Sequence, residues 1–171
     1  MCFIVIKSKG NEMANIIYMT LNGKKQGLIS AGCSTYDSIG NKYQEENKDK
    51  ILVYSIDHDI NREQNVNHHP IVIAKPIDKS SPLLGVSISN NEHLDCLLEI
   101  YRNSSAGGLE KFYSIKLTNA TIKNISSHYP NSLSHNDMQP YESITISYDS
   151  ITWTHHIAGT SGYSIREENV F

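Results

Sequence analysis

Two stretches carry the clearest alternation of apolar and polar positions. Residues 111–124 place Ile115 and Leu117 on one parity and Ala120 and Ile122 on the other. Residues 141–155 do the same, with Ile144, Ile146 and Tyr148 on one parity and Ile151 and Trp153 on the other. Alternation at period two puts one face of a pleated strand in a core and the other in solvent. A one-residue change of phase carries the apolar set to the opposite face unless a bulge absorbs it. Two long strands that each slip once predict strongly bent partners, as in a closed or nearly closed small barrel. The polar run 125–140 reads as the loop between them.

The rest of the chain supplies shorter elements. Residues 15–21 alternate and predict a first strand, Asn22-Gly23 is a turn signal, and 24–30 predict a second, short strand. Residues 31–50 are polar, contain Gly32 and Gly40, and end in a charged run. About twenty residues without periodicity make a long loop for a compact domain, which is either a disordered surface segment or a functional one. Residues 51–58 predict a strand with Ile51, Val53 and Ser55 on one face; 59–69 predict a loop, and 71–75 a strand closed by Pro76. In Asp78-Lys79-Ser80-Ser81-Pro82 a serine cap precedes a proline in the first turn, which predicts a helix over 81–89, stopped by Asn90-Asn91. It is the single helix expected. Residues 93–102 alternate through Leu94, Cys96, Leu98 and Ile100, and 157–171 are expected to be a turn and an irregular tail. The sum is a mainly β fold, a small antiparallel β-barrel of about eight strands with one short α-helix.

Composition narrows the class. A chain of 171 residues favours one domain with a real core, placed here at residues 13–171, with 1–12 expected to be an N-terminal extension that an alternative start at Met13 would remove. A net charge of -3 gives no sign of an electrostatic nucleic-acid binder. No stretch approaches the roughly 20 apolar residues of a membrane helix, so no membrane insertion is expected. The three cysteines, Cys2, Cys33 and Cys96, are odd in number and form no CxxC, which fits folding in a reducing compartment. The N-terminal apolar run lacks a preceding basic region and does not read as a Sec signal.

Candidate chemistry is sparse. In Asp57-His58-Asp59 alternation sends His58 away from the two carboxylates, and the pairs His68-His69 and His155-His156 point apart for the same reason. Metal sites need convergent ligands, so no metal, cofactor or catalytic constellation is expected. Trp153 and Cys96 are expected in the core, while Cys33 is open to either reading.

The run 73–84, Ile-Ala-Lys-Pro-Ile-Asp-Lys-Ser-Ser-Pro-Leu-Leu, resembles the strand-to-helix signature of the haemolysin-coregulated protein (Hcp) family, the tube proteins of the bacterial type VI secretion system. Phe112–Leu117 with Ala120-Thr121-Ile122, and 142–154, are similar to the same family in the same order, so the resemblance spans about 13–154. It implies a β-barrel that assembles as a ring of six. Rings would stack into a hollow tube inside a contractile sheath on a baseplate, be expelled with a spike protein at the tip, and carry small effector proteins in the lumen. The protein would wait in the bacterial cytoplasm and leave without a Sec signal. The resemblance places Tyr36, Asp37, Tyr43, Gln44 and Glu45 on a loop that contacts neighbouring subunits, Ser55 and Asp57 toward the lumen, and Asp78, Lys79, Ser81 and Pro82 in the structural helix start. Two other readings stay open from the residues: a monomeric β-sandwich binding or adhesin module, and a hydrolytic effector using His58, His68 or His69.

Overall fold

The computed structural model describes residues 15–135 and 137–166; the extension expected at 1–12 and Cys2 lie outside the described residues. Twelve strands are present among them: β1 (Asn15–Gly23), β2 (Gly27–Leu28), β3 (Ile51–Val53), β4 (Ser55–Asp57), β5 (Ile60–Arg62), β6 (Val66–His68), β7 (Ile71–Pro76), β8 (Leu94–Asn103), β9 (Leu109–His128), β10 (Tyr141–Ser147), β11 (Ser150–His155) and β12 (Thr160–Ile165). Two helices accompany them, α1 (Tyr36–Ile39) and α2 (Ser81–Ser89). The class is mainly β as expected, with more and shorter strands than eight.

Every ladder is antiparallel. β1, β8, β9, β10 and β7 are successive neighbours. The circuit is completed by the segment 51–57: Ile51, Leu52 and Val53 pair with Met19, Tyr18 and Ile17, whereas Ser55, Ile56 and Asp57 pair with Ala74, Ile73 and Val72. One short run of chain thus joins the two ends of the sheet. The sequence presented it as a single alternating strand, but it kinks at Tyr54, whose N–H donates to the Ala74 carbonyl at 2.7 Å. The kink changes the parity. Val53 and Ile56 both reach the core, and Ser55 lies on the exposed side instead of sharing a face with Ile51 and Val53.

The two phase changes have identifiable causes. In β9, Leu94 faces Ala120 but Cys96 faces Leu117, so the extra residue sits at 118–119, and Asn119 adopts φ 52. That bulge lets Ile115 and Leu117 and then Ala120 and Ile122 point into one core. In 141–155 the slip is a corner at Tyr148-Asp149 that divides β10 from β11. Both halves lie along one edge of β9, giving a long bent hairpin. Ile71, Ile73, Ile144 and Ile146 meet at the centre, each at most 1% exposed, and each fully buried side chain of this size contributes about 1.5–3 kcal/mol of transfer free energy. Trp153 packs against this core, and Leu84 of α2 enters it.

Three expectations are corrected. Gly23 is not a turn corner: β1 runs through it and the turn follows at 24–26, leaving only Gly27–Leu28 of the short second strand. A Cβ at Gly23 would lie 2.6 Å from a Glu92 carboxylate oxygen, so the glycine makes room for that buried acid. The loop at 59–69 folds into the β5–β6 hairpin. The tail expected to be irregular supplies β12, which pairs with β11 from Ser150↔Ile165 to His155↔Thr160. Neither segment shows regular apolar alternation, because each carries few buried positions.

Candidate functional site

The segment 31–50 is ordered by its own contacts. It contains α1 and two 3-10 turns, Gly40–Lys42 and Glu45–Asn47, so a second short helix joins the one predicted. Its inner side covers the outer face of β1 and β3, where Ile16, Tyr18 and Leu52 form a small second cluster with Ile39 and Tyr101. The Tyr18 hydroxyl donates to Gln44 Oε1 at 2.8 Å. At its end, Lys50 Nζ lies 2.8 Å from Glu99 Oε2, and Lys111 holds the other oxygen of the same carboxylate at 3.0 Å. Burial raises the Glu99 pKa, but the two ammonium groups outweigh it and leave the group below the usual glutamate range.

The outer side of the segment is bare. Tyr36 is 62% exposed and Tyr43 46% exposed, and their rings meet edge to face at 6.1 Å. Glu45 and Asp37 are exposed beside them. Of the residues expected on this loop, Tyr36, Asp37, Tyr43 and Glu45 face outward, whereas Gln44 is half-buried and spends its side chain on Tyr18. A cavity of about 390 Å³ opens between the loop and the barrel, with Tyr18, Tyr43, Leu52 and Tyr54 in its wall. Ser55 and Asp57 are both exposed on β4.

The helix-start motif is the anchor under this loop. α2 starts at Ser81 with Pro82 in its first turn, as the sequence predicts. The capping differs: Ser80 makes no side-chain bond to the helix. Its N–H and hydroxyl instead donate to Asp78 Oδ1 at 2.9 and 2.5 Å, and the Asp78 N–H donates to Ser81 Oγ at 3.1 Å. Asp78 is buried, whereas Lys79 and Pro82 are exposed. The Lys79 N–H donates to Ser38 Oγ at 2.9 Å, which ties the motif to α1.

The centre of the anchor is a residue that sequence reasoning passed over. Lys75 is fully buried and its ammonium reaches Asp78 at 2.9 Å, Glu142 at 2.5 Å and the Pro76 carbonyl at 2.9 Å. Ser81 donates to the same Glu142 oxygen at 2.7 Å. The signal was available: Lys75 shares the inward parity of Ile71 and Ile73, and Glu142 that of Ile144 and Ile146. Charges at inward positions require partners.

The histidines form one arrangement that alternation within a strand does not address. His69 does turn away from His68, but His58 and His68 converge from separate elements on the Tyr148 hydroxyl, at 2.7 and 3.1 Å. His68 Nε2 also meets Ser164 Oγ at 2.9 Å. This serine–histidine contact is poorly suited to catalysis. Burial, and then the Arg166 guanidinium, push the His68 pKa down, and the partner of its other nitrogen is a tyrosine instead of a carboxylate. An imidazolium, which a general base must become, is disfavoured here. No group of three His, Cys, Asp or Glu able to hold a metal occurs among the described residues. Cys33 and Cys96 are both buried, with thiols pushed up to about 11 and about 12 mainly by burial.

The comparisons agree on one family. The model described as "Type VI secretion system effector, Hcp" matches residues 18–155. The major exported protein of Pseudomonas aeruginosa strain PAO1 is 36% identical over 167 residues, covering 88% of this chain and 94% of its own. The uncharacterized protein YhhZ of Escherichia coli K12 is 42% identical over 149 residues, and the match spans 86% of this chain but 37% of YhhZ. Among solved structures, an Hcp protein superposes with a TM-score of 0.85 at 31% identity, covering 91% of this chain and all of that one. The secreted protein Hcp3 from Pseudomonas aeruginosa superposes at 0.82 with 37% identity and the same coverage. The chain belongs to the Hcp family, the secreted tube proteins of the type VI secretion system.

Proposed function

We propose that this chain is a structural, non-catalytic tube subunit whose rings of six stack through the 31–50 loop. The observation that carries the reading is the loop itself. Its base is sutured to the barrel by Tyr18 and Lys50 and to the helix start by Ser38, yet it presents Tyr36 and Tyr43 to solvent. Aromatic side chains held on a rigid support are what a contact surface uses, because they bury area at low entropic cost. Tyr36, Asp37, Tyr43 and Glu45 would meet a neighbouring copy, and Gln44 would hold the loop in shape. Six copies of a slight contact add to a firm one. Ser55 and Asp57, on the short segment that joins the ends of the sheet, would face the lumen and meet small effector proteins. The spike, sheath and baseplate would be the remaining partners, with the protein folded in the bacterial cytoplasm before firing.

Light scattering on the size-exclusion peak, followed by negative-stain imaging, tests the reading. A mass of about six subunits with ring-shaped particles is expected. A monomer at every accessible concentration would favour a binding module instead.

A further inference from the structure

The β5–β6 hairpin shares no ladder with the main sheet, and β12 is paired only with β11. Among the described residues, every hydrogen bond joining 58–69 to the rest of the protein runs through His58 and His68. These two histidines meet at the Tyr148 hydroxyl on the β10–β11 corner, and His68 continues to Ser164 on β12. Tyr148 and His68 are 2% and 4% exposed, so lost bonds here are not replaced by water without movement.

The proton arrangement in this chain of side chains is restricted. With both imidazoles neutral, two assignments of opposite direction complete the chain. In the first, His58 Nε2–H donates to Tyr148, the Tyr148 O–H to His68 Nδ1 and His68 Nε2–H to Ser164. In the second, Ser164 donates to His68 Nε2, His68 Nδ1–H to Tyr148 and the Tyr148 O–H to His58 Nε2. One added proton on His58 restricts the chain to the first direction, in which His68 Nε2–H donates to Ser164, and is accommodated. Two added protons are not. Both imidazolium rings would then donate to one phenol oxygen, whose own proton would have no acceptor in the chain, and two like charges would face each other across it.

We propose that the His58–Tyr148–His68–Ser164 chain is an acid-sensitive latch, which holds the β5–β6 hairpin against the Tyr148 corner and β12 while it carries at most one added proton and releases the hairpin when both histidines are charged. The surroundings favour the neutral state. Burial lowers both histidine pKa values; His68 and His69 act in the same direction on His58, with Asp59 opposing, and Arg166 acts in the same direction on His68. Arg166 also lies by Tyr148, whose own pKa is pushed up to about 12 by burial. Asp149, next along the chain, has its carboxylate taken by Asn119, and Lys123 and His93 line the same outer hollow as Tyr148 and add no negative charge. A histidine whose folded pKa lies below its unfolded value loses stability as pH falls below the ordinary histidine range of about 6.5. The release therefore belongs to mildly acidic conditions, and a histidine pair is the physiological means for it.

Hydrogen–deuterium exchange on the full chain at pH about 7.5 and about 5, corrected for intrinsic rates, tests this. Protection in 59–69 should fall by at least about tenfold on acidification, while β8 and β9 keep theirs. Unchanged protection in that segment, or an equal loss across β8 and β9, would overturn the latch. Tyr148→Phe removes the shared hydroxyl and should make the hairpin exchange at neutral pH as the parent does in acid. A Tyr148→Phe protein with the full pH response contradicts the proposal. His58→Gln keeps a neutral hydrogen-bonding side chain and serves where the phenylalanine variant does not fold. The proton count of the transition should drop from about two to about one, and an unchanged count also overturns it.

Discussion

Glu142 of β10 stands directly opposite Lys75 of β7 in the ladder, and the two charges meet at 2.5 Å in a site with almost no solvent. Asp78 completes the group, so one ammonium faces two carboxylates. Breaking such a cluster by removing one partner exposes the charge imbalance. Lys75→Met leaves two buried acids without a counter-charge and should cost about 3–5 kcal/mol. Glu142→Gln leaves Lys75 and Asp78 balanced one to one and should cost clearly less. Urea denaturation of the two variants checks the order. A glutamine variant as damaged as the methionine one would mean that geometry, not charge balance, holds the anchor.

Much of this fold was readable because period-two patterning is a local consequence of strand geometry. The phase changes at 117–120 and 148–151 became the Asn119 bulge and the Tyr148-Asp149 corner, and the Ser-Pro start placed α2 at Ser81–Ser89. What escaped depends on contacts distant in sequence. β12 and the β5–β6 hairpin bury too little to show a pattern. The convergence of His58 and His68 requires the hairpin to fold back onto a tyrosine 80 positions beyond His68, and no spacing rule encodes that. Lys75 was legible in principle, since its inward parity contradicts its charge.

The loop tyrosines separate stability from assembly. Tyr36→Ala and Tyr43→Ala remove an exposed edge-to-face pair worth about 0.5–1.5 kcal/mol at most. The monomer should keep its denaturation midpoint nearly unchanged while ring stacking, read by imaging and by secretion assays, is lost. Removal of part of 35–47 should act more strongly in the same direction. Normal stacking by the double tyrosine variant would remove these residues from the contact.

Asn119 offers a test of the bulge. Its φ of 52 lies in the left-handed region, and its side-chain amide donates to Asp149 across the corner. Asn119→Val places a β-branched residue in that conformation and should cost about 1–2 kcal/mol from the backbone alone. Asn119→Gly accepts the conformation and loses only the amide bond, so it should be the milder change. If valine and glycine destabilise equally in urea, the backbone conformation is not what the asparagine supplies.

Acid should weaken the barrel through its buried glutamates in a range below that of the histidine latch. Burial raises the Glu92 pKa, but the Gln26 side chain, the Gln26 and Lys25 N–H groups and the Ser87 hydroxyl all donate to the carboxylate and bring it below the usual range. Glu99 is lowered by Lys50 and Lys111 against the same penalty. For a carboxylate with a depressed folded pKa, the stabilisation is present above the unfolded value of about 4.3 and is lost as pH falls through the folded one. The denaturation midpoint should therefore drop steeply below pH about 4.3, separately from any change near 6. Glu92→Gln should flatten that lower limb while leaving the histidine region untouched, because Glu92 serves the 23–26 turn and α2 while the latch joins the hairpin to β12. A lower limb of unchanged steepness in Glu92→Gln would shift the acid response to other carboxylates, with Glu99 next to be tested.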